Sequence, residues 1–401
     1  MTSGSSPQPS PSSALLCPDA AALAAANGVL TIDLDAIVAN WRKLEKTAVP
    51  AECAAVIKAN AYGCGIEPVA RALAAAGCKT FFVATLDEAR AARAVAPQAA
   101  IYVLNGFYQN TGEAYAKTNC RPVIGELNEL AEWDVFRRAS GWSGGAAIHI
   151  DTGMNRLGLT IVEAQSLIPR IIAGDRSITM IMSHLVCAEQ LNSKVNARQL
   201  SAFREIASQF TGVPASLANS SGIYLGAPFQ FDLVRPGAAL YGVNPTAEAD
   251  NPMQSAVDLK ARIVQIRTIE RGDTVGYGGS WTARRPTRLA IIAAGYADGY
   301  FRAASASDGS RGAEVVVAGK RCSIAGRISM DLMAVDITDL HPNAVRRGHM
   351  VTLIGEAITV DELAHHFGTI GYEVLTSLGR RFARAYKGGA APGGETATVS
   401  G

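Results

Sequence analysis

Cysteine is too thinly and irregularly spread in this chain to hold a fold together. Its seven residues, at positions 17, 53, 64, 78, 120, 187 and 322, are odd in number and never fall as C-x-x-C. That spacing argues against a disulfide frame and against a zinc knuckle, no metal centre is expected, and a reducing cytoplasm is the plain setting. No segment supplies the 18 or more uncharged apolar residues of a membrane span. A secretory signal is not expected either: there is no basic leading region, and the Ala-rich run at 14–26 is interrupted by Pro18 and Asp19. Charge of one sign is also missing, with 37 Lys plus Arg against 35 Asp plus Glu. The basic footprint that a nucleic-acid backbone requires is therefore absent.

What the chain does have is length and apolar content. At 401 residues and 48% hydrophobic it can fill more than one core, and two domains are the better prior. Residues 1–27 begin rich in Ser and Pro and read as a mostly disordered arm, and the Gly, Ala and Thr of 389–401 read as a flexible tail. Between them the rhythm changes once. Up to about residue 250, short β-branched runs alternate with amphipathic helical stretches, the runs falling at 54–58, 80–85, 100–104, 122–125, 147–151, 178–184, 215–219 and 231–235. Helical candidates lie at 67–76, 86–95, 126–138, 161–173 and 195–210. Eight alternations in this length predict a (β/α)₈ barrel over 28–250 rather than an open sheet. Over 251–388, runs at 257–269, 288–294, 313–317 and 333–337 follow one another with little helix beyond a patch at 359–367. This is a second, mainly β domain, with which the first strand of the chain can pair.

In Ala55-Val-Ile-Lys58-Ala-Asn-Ala-Tyr62-Gly-Cys-Gly65 a lysine ends an otherwise apolar run. Barrel active sites sit at such strand ends. A lysine desolvated there loses basicity, and its neutral amine can condense with an aldehyde cofactor. On position alone, Lys58 snorkelling from the barrel mouth is as good a reading. The surrounding residues resemble the cofactor-lysine segment of the alanine racemases. Further matches follow in order at Ile150-Asp-Thr-Gly-Met-Asn-Arg-Leu-Gly158, Ala218-Asn-Ser220, Val234-Arg-Pro-Gly237, Val275-Gly-Tyr-Gly-Gly279, Gly295-Tyr-Ala-Asp-Gly299 and Gly326-Arg-Ile-Ser-Met-Asp331. The resemblance runs from about Gly28 to Tyr386.

It implies pyridoxal 5'-phosphate on Lys58, alanine as substrate, and a homodimer in which Tyr277 of one chain faces Lys58 of the other. It further implies a cytoplasmic isomerase that supplies D-alanine for peptidoglycan or serves alanine catabolism. Lys58 and Tyr277 are then opposed bases, Lys58 serving D-alanine and Tyr277 L-alanine. Tyr62, Ser220 and the amides of Gly237 and Ala238 are implied phosphate contacts. Arg235 faces the pyridine nitrogen, and because guanidinium only donates, the ring stays a weaker electron sink, which suits returning the proton to the same carbon. Free tyrosine has a pKa of about 10, so Tyr277 needs positive charge nearby; His184 and Arg235 match the family network that provides it. Arg156 and the Met330 amide are the expected holders of the substrate carboxylate. Tyr296, Arg302 and Arg327 resemble the lining of a narrow passage to the site. Read without the motifs, Ser220 could be a helix cap, His184 a satisfied barrel histidine and Tyr296 a core aromatic.

Two positions depart from the pattern. His149 stands where many members carry a lysine that becomes carbamylated, two residues before the Asp of the Asp-Thr-Gly-Met run. A nearby guanidinium should lower its pKa and keep it neutral. Arg380 falls where many members have a phosphate-contacting tyrosine. Two other classes compete with the racemase. A decarboxylase on a similar barrel carries a triple-glycine phosphate loop in its family pattern, and this chain has no Gly-Gly-Gly. A non-catalytic cofactor carrier would have no use for a β domain bearing Tyr277.

Overall fold

The computed structural model describes residues 20–246 and 248–389. Of the expected arm and tail, 1–19 and 390–401 lie outside the described residues, and Ala20–Ala25 is a helix whose Ala24 carbonyl accepts from Arg262 Nη2 at 2.9 Å.

The first half of the chain is a closed barrel of eight short parallel strands. They are Glu52–Cys53 with Ala55–Val56, then Thr80–Val83, Ala100–Val103, Arg121–Ile124, Ala146–His149, Ile178–Met182, Ala215–Ser216 and Leu233–Val234. Each lies within or across one of the eight apolar runs read from the sequence. Neighbours in the chain are neighbours in the sheet, and the eighth strand returns to the first, pairing Leu233 with Glu52 and Val234 with Cys53. It meets the seventh through Asp232 N to Ala215 O at 3.0 Å and Arg235 N to Ala218 O at 2.9 Å. Thr80–Val83 and Ala146–His149 are buried at every position, because the barrel interior takes one face and the helices the other.

Helices Ile66–Ala76, Leu86–Val95, Leu127–Ser140 and Lys194–Ala207 follow the predicted amphipathic stretches. The single helix expected over 161–173 is instead two, Ile161–Gln165 and Ile168–Ile172. Pro169 has no N–H to continue the first and is pre-shaped to start the second.

The chain does something unusual directly after Lys58. Ala59, Asn60, Ala61 and Tyr62 have φ of 54°, 53°, 54° and 53°, a full left-handed turn without glycine. That hand costs L-residues roughly 1–2 kcal/mol each, so the turn must be held from outside. Gly65 N donates to Asn60 O at 2.8 Å, Ile66 N to Asn60 Oδ1 at 2.9 Å, and Asn60 N to Glu88 Oε1 at 3.1 Å. At its far end Arg384 Nε donates to Gly63 O at 3.0 Å, and the Tyr62 ring stacks on Tyr241 with centroids 4.7 Å apart.

The second domain is built on the 13-residue strand Val257–Ile269. Its first half pairs antiparallel with Gly28–Asp33 and with Met350–Ile354, and its second half with Thr287–Ile292, which pairs in turn with Met333–Asp336. Gly28–Asp33 also pairs in parallel with Ala383–Lys387, so both ends of the described chain meet in this sheet. Among the described residues no helix is long and apolar enough to cross a membrane.

Candidate active site

The C-terminal ends of the barrel strands open into a cavity of about 940 Å³. Eight of the residues singled out from the sequence line it: Lys58, Tyr62, Arg156, His184, Ser220, Arg235, Gly237 and Ala238. His149 lines it too. Burial, and after it the charge of Arg156, lowers the Lys58 pKa, while the Glu88 carboxylate pulls the other way.

One wall is a small anion-sized cradle. The Ser220 hydroxyl oxygen accepts from Gly237 N at 2.9 Å and Ala239 N at 3.3 Å, which leaves its own O–H free to donate into the cavity. The Tyr62 hydroxyl lies against Gly237, where an added Cβ would collide with it. Ala238 opens the short helix Ala238–Tyr241, so its amide has no earlier turn to serve. Burial pushes Tyr62 well above the ordinary tyrosine range, so it stays a hydroxyl donor.

Arg235 runs through the barrel interior beneath this wall. Its guanidinium donates to Ser216 Oγ, to Ser183 O and to Leu217 O, and its charge stands 5.9 Å from the Phe82 ring centre. Burial lowers its pKa to about 9, which still leaves it protonated near neutrality. The two histidines beside it are held down, His149 to about 4 and His184 to about 3, by burial first and then by Arg235 and Arg156. Both are neutral imidazoles at pH 7.

Arg156 is carried at the rim on a loop shaped by its own sequence. The Asp151 carboxylate accepts the amides of Gly153, Met154 and Asn155 at 2.8, 2.8 and 2.9 Å. Gly158, at φ +115°, ends the loop where a Cβ would stand 2.7 Å from Asp151 N and 3.2 Å from His149 Cδ2. Gln199, buried, ties this loop to strand six by donating to Thr152 Oγ1 at 3.2 Å and His184 O at 2.9 Å.

The other predicted residues are elsewhere. Tyr277 and Arg327 line a second cavity of about 800 Å³ in the β domain, and Tyr277 is 72% exposed. Tyr296 and Met330 are exposed on adjoining loops, joined by Tyr296 N to Ser329 O at 3.1 Å and Ala297 N to Met330 O at 3.0 Å. Arg302 is exposed, and its carbonyl accepts from Ser305, whose hydroxyl oxygen accepts from Ile328 N at 3.0 Å. Within one chain, then, the second predicted base and the passage residues do not meet Lys58.

One expectation is corrected. Arg380 is exposed and does not line the barrel cavity, whereas Tyr372 does, with its ring edge-on to Tyr62 at 6.2 Å. Tyr372, eight residues earlier on the helix Gly371–Ser377, is the tyrosine near the C-terminus that reaches this cavity. That helix is only seven residues long, too short for its apolar period to stand out from the flanking residues. Glu88, Gln199 and Arg384 were also missed, because their partners are backbone groups brought close only by the fold.

Fold and site together define a class: barrel enzymes that hold pyridoxal phosphate on a lysine at a strand end. Comparison with known proteins narrows it. The family model described as "Alanine racemase, N-terminal domain" matches residues 32–245 and that described as "Alanine racemase, C-terminal domain" matches 256–386. A protein named alanine racemase from Methylobacterium nodulans is 52% identical over 357 residues, 89% of this chain and 95% of its own length. A catabolic alanine racemase from Agrobacterium fabrum is 44% identical over 94% of this chain and 95% of its own. The crystal structure of alanine racemase from Bartonella henselae with covalently bound pyridoxal phosphate superposes with a TM-score of 0.84 at 42% identity, covering 90% of this chain and all of that one. The chain belongs to the alanine racemase family.

Proposed function

We propose that this protein interconverts L-alanine and D-alanine with pyridoxal 5'-phosphate held on Lys58, in the cytoplasm, as a homodimer with shared active sites. The observation that carries the reading is the pairing, in one cavity, of a lysine made less basic by burial with a cradle of neutral donors. The donor set suits the cofactor: Tyr62, Ser220 and the Gly237 and Ala238 amides for the phosphate, with Tyr372 beside them, and Arg235 for the ring nitrogen. Bound pyridoxal phosphate supplies the aldehyde that takes up the amino group and the conjugated ring that spreads charge when the α-proton leaves.

The rest is the work of this chain's residues. Lys58 Nζ, as a free amine of lowered pKa, would be able to take or give the substrate α-proton on one face. Arg156 holds the substrate carboxylate from the rim, aided by the Met330 amide of the second chain. Arg235, whose guanidinium can only donate, would face the ring nitrogen and leave it without its own proton, which would limit how far charge drains into the ring and favour the proton's return to the same carbon. His149 offers Arg156 a neutral lone pair in place of a carbamate's charge. Tyr277 from the second chain serves the opposite face, with the Arg235 guanidinium as the positive charge that supports it and His184 as a neutral hydrogen-bonding partner between them. The product supplies D-alanine for peptidoglycan or enters alanine catabolism.

The test is a chiral chromatography screen of the purified protein against L-amino acids with pyridoxal phosphate present. D-alanine appearing from L-alanine, and L- from D-, is the expected result. Release of carbon dioxide and an amine without racemisation would overturn the proposal in favour of a decarboxylase.

A further inference from the structure

We propose that Glu88 is a positioning residue for the cofactor lysine: its carboxylate locks the left-handed turn after Lys58 to the end of the neighbouring barrel strand, and so fixes where the Lys58 amine stands. The proposal rests on Lys58 being the residue that holds the cofactor.

The two carboxylate oxygens do different things. Oε2 accepts from Ala84 N at 2.8 Å and Thr85 N at 3.3 Å, at the end of strand Thr80–Val83. Together with Glu88 N to Thr85 Oγ1 at 3.3 Å this closes a capping box at the start of Leu86–Val95. Capping needs only that much. Oε1 reaches away from the helix and accepts Asn60 N at 3.1 Å, two residues past Lys58.

A turn of four non-glycine residues at φ near 54° persists only where its surroundings over-determine it. Glu88 supplies the hold at its beginning and Arg384, through Gly63 O, the hold at its end. Only one residue separates Asn60 from Lys58, so a turn that relaxes at Asn60 re-aims the lysine. The same carboxylate also opposes the loss of basicity that burial and Arg156 impose on Lys58.

Three variants separate this role from helix capping. In Glu88→Gln the amide oxygen keeps the Ala84 and Thr85 bonds while its NH₂ faces Asn60 N–H, so the cap survives and the brace is lost. Thr85→Ala removes the cap hydroxyl and leaves the brace. Glu88→Gln with Ala59→Gly relieves the left-handed strain at an exposed position with φ 54°. Measured are the Kd of the apoprotein for pyridoxal phosphate by absorbance titration, kcat, and the apoprotein Tm.

Glu88→Gln is expected to weaken the cofactor Kd about tenfold and to lower kcat roughly ten- to a hundredfold, with Tm nearly unchanged. Thr85→Ala should lower Tm and leave Kd and kcat as in the wild type. The double variant should regain part of the lost cofactor affinity. Wild-type behaviour of Glu88→Gln, equal loss of affinity in Thr85→Ala, or no recovery in the double variant would each overturn the proposal. Borohydride reduction and peptide mapping of the wild type keeps the underlying reading separate: a label on a lysine other than Lys58 overturns that reading instead.

Discussion

Two imidazoles in the barrel cavity sit far below free histidine, His149 at about 4 and His184 at about 3, and burial is the first cause of each. The sign of the stability effect follows. An unfolded histidine titrates near 6.5, so above that pH neither state carries the proton and the lowered pKa costs nothing. As the pH falls below it, the unfolded chain takes up protons that the folded chain refuses, and stability drops until the folded pKa is reached. For His149 the loss at pH 5 relative to pH 7 is about 2 kcal/mol. His149→Asn, which cannot titrate, should therefore show a smaller fall in unfolding free energy between pH 7 and pH 5 than the wild type, by about that amount. Urea unfolding at the two pH values measures it, and parallel losses in both proteins would show that His149 is not held neutral. The direction of this shift was legible from His149 lying near Arg156; that burial comes first was not, because it depends on strands packed around residue 149.

At the scale of elements, the barrel strands were legible because burial on both faces leaves continuous apolar runs, and the bounds of Val257–Ile269 could be read to the residue. What escaped was local structure set by distant partners. Ala-Asn-Ala-Tyr after Lys58 has no glycine, and its local preference is right-handed; the left-handed turn exists through Glu88, Arg384 and the Tyr241 ring. Met350–Ile354 and Ala383–Lys387 were likewise unread, since each is a short strand that earns its place by pairing with residues far away in the chain. The loop from Arg235 to Ala238 offers a clean test of an element. Its Gly237 leaves no room for a side chain, because a Cβ would strike the Tyr62 hydroxyl and stand 3.4 Å from the Val56 Cβ. Gly237→Ala should push Tyr62 out of the cradle and weaken cofactor binding at least about tenfold, or about 1.4 kcal/mol. Equilibrium dialysis of pyridoxal phosphate against the apoprotein checks it, and unchanged affinity would remove these residues from the phosphate site.

At the scale of the whole molecule, one chain carries the two halves of the proposed mechanism in two cavities. The barrel cavity has Lys58, the cradle and Arg235; the β-domain cavity has Tyr277 and Arg327, with exposed Tyr296, Met330 and Leu332 on the same domain. Tyr277 is 72% exposed and lies in a different cavity from Lys58 and Arg235, so the proposed pairing needs a second chain to bring them together. Exposed large apolar side chains on the domain that carries it are what a second subunit would cover. A head-to-tail arrangement, with each β domain set against the other chain's barrel mouth, answers both needs and makes two equivalent sites per dimer. It also makes a quantitative forecast. A Lys58→Ala chain and a Tyr277→Phe chain are each inactive as homodimers. When equal amounts are mixed and allowed to exchange, half the dimers are mixed, and in each of those one site has both residues while the other has neither. The mixture should therefore recover roughly a quarter of wild-type activity. Subunit exchange is followed by mass spectrometry of differently tagged chains, and racemisation by chiral chromatography on the same samples. Activity that stays at zero after exchange is complete would mean that Tyr277 reaches Lys58 within its own chain or not at all.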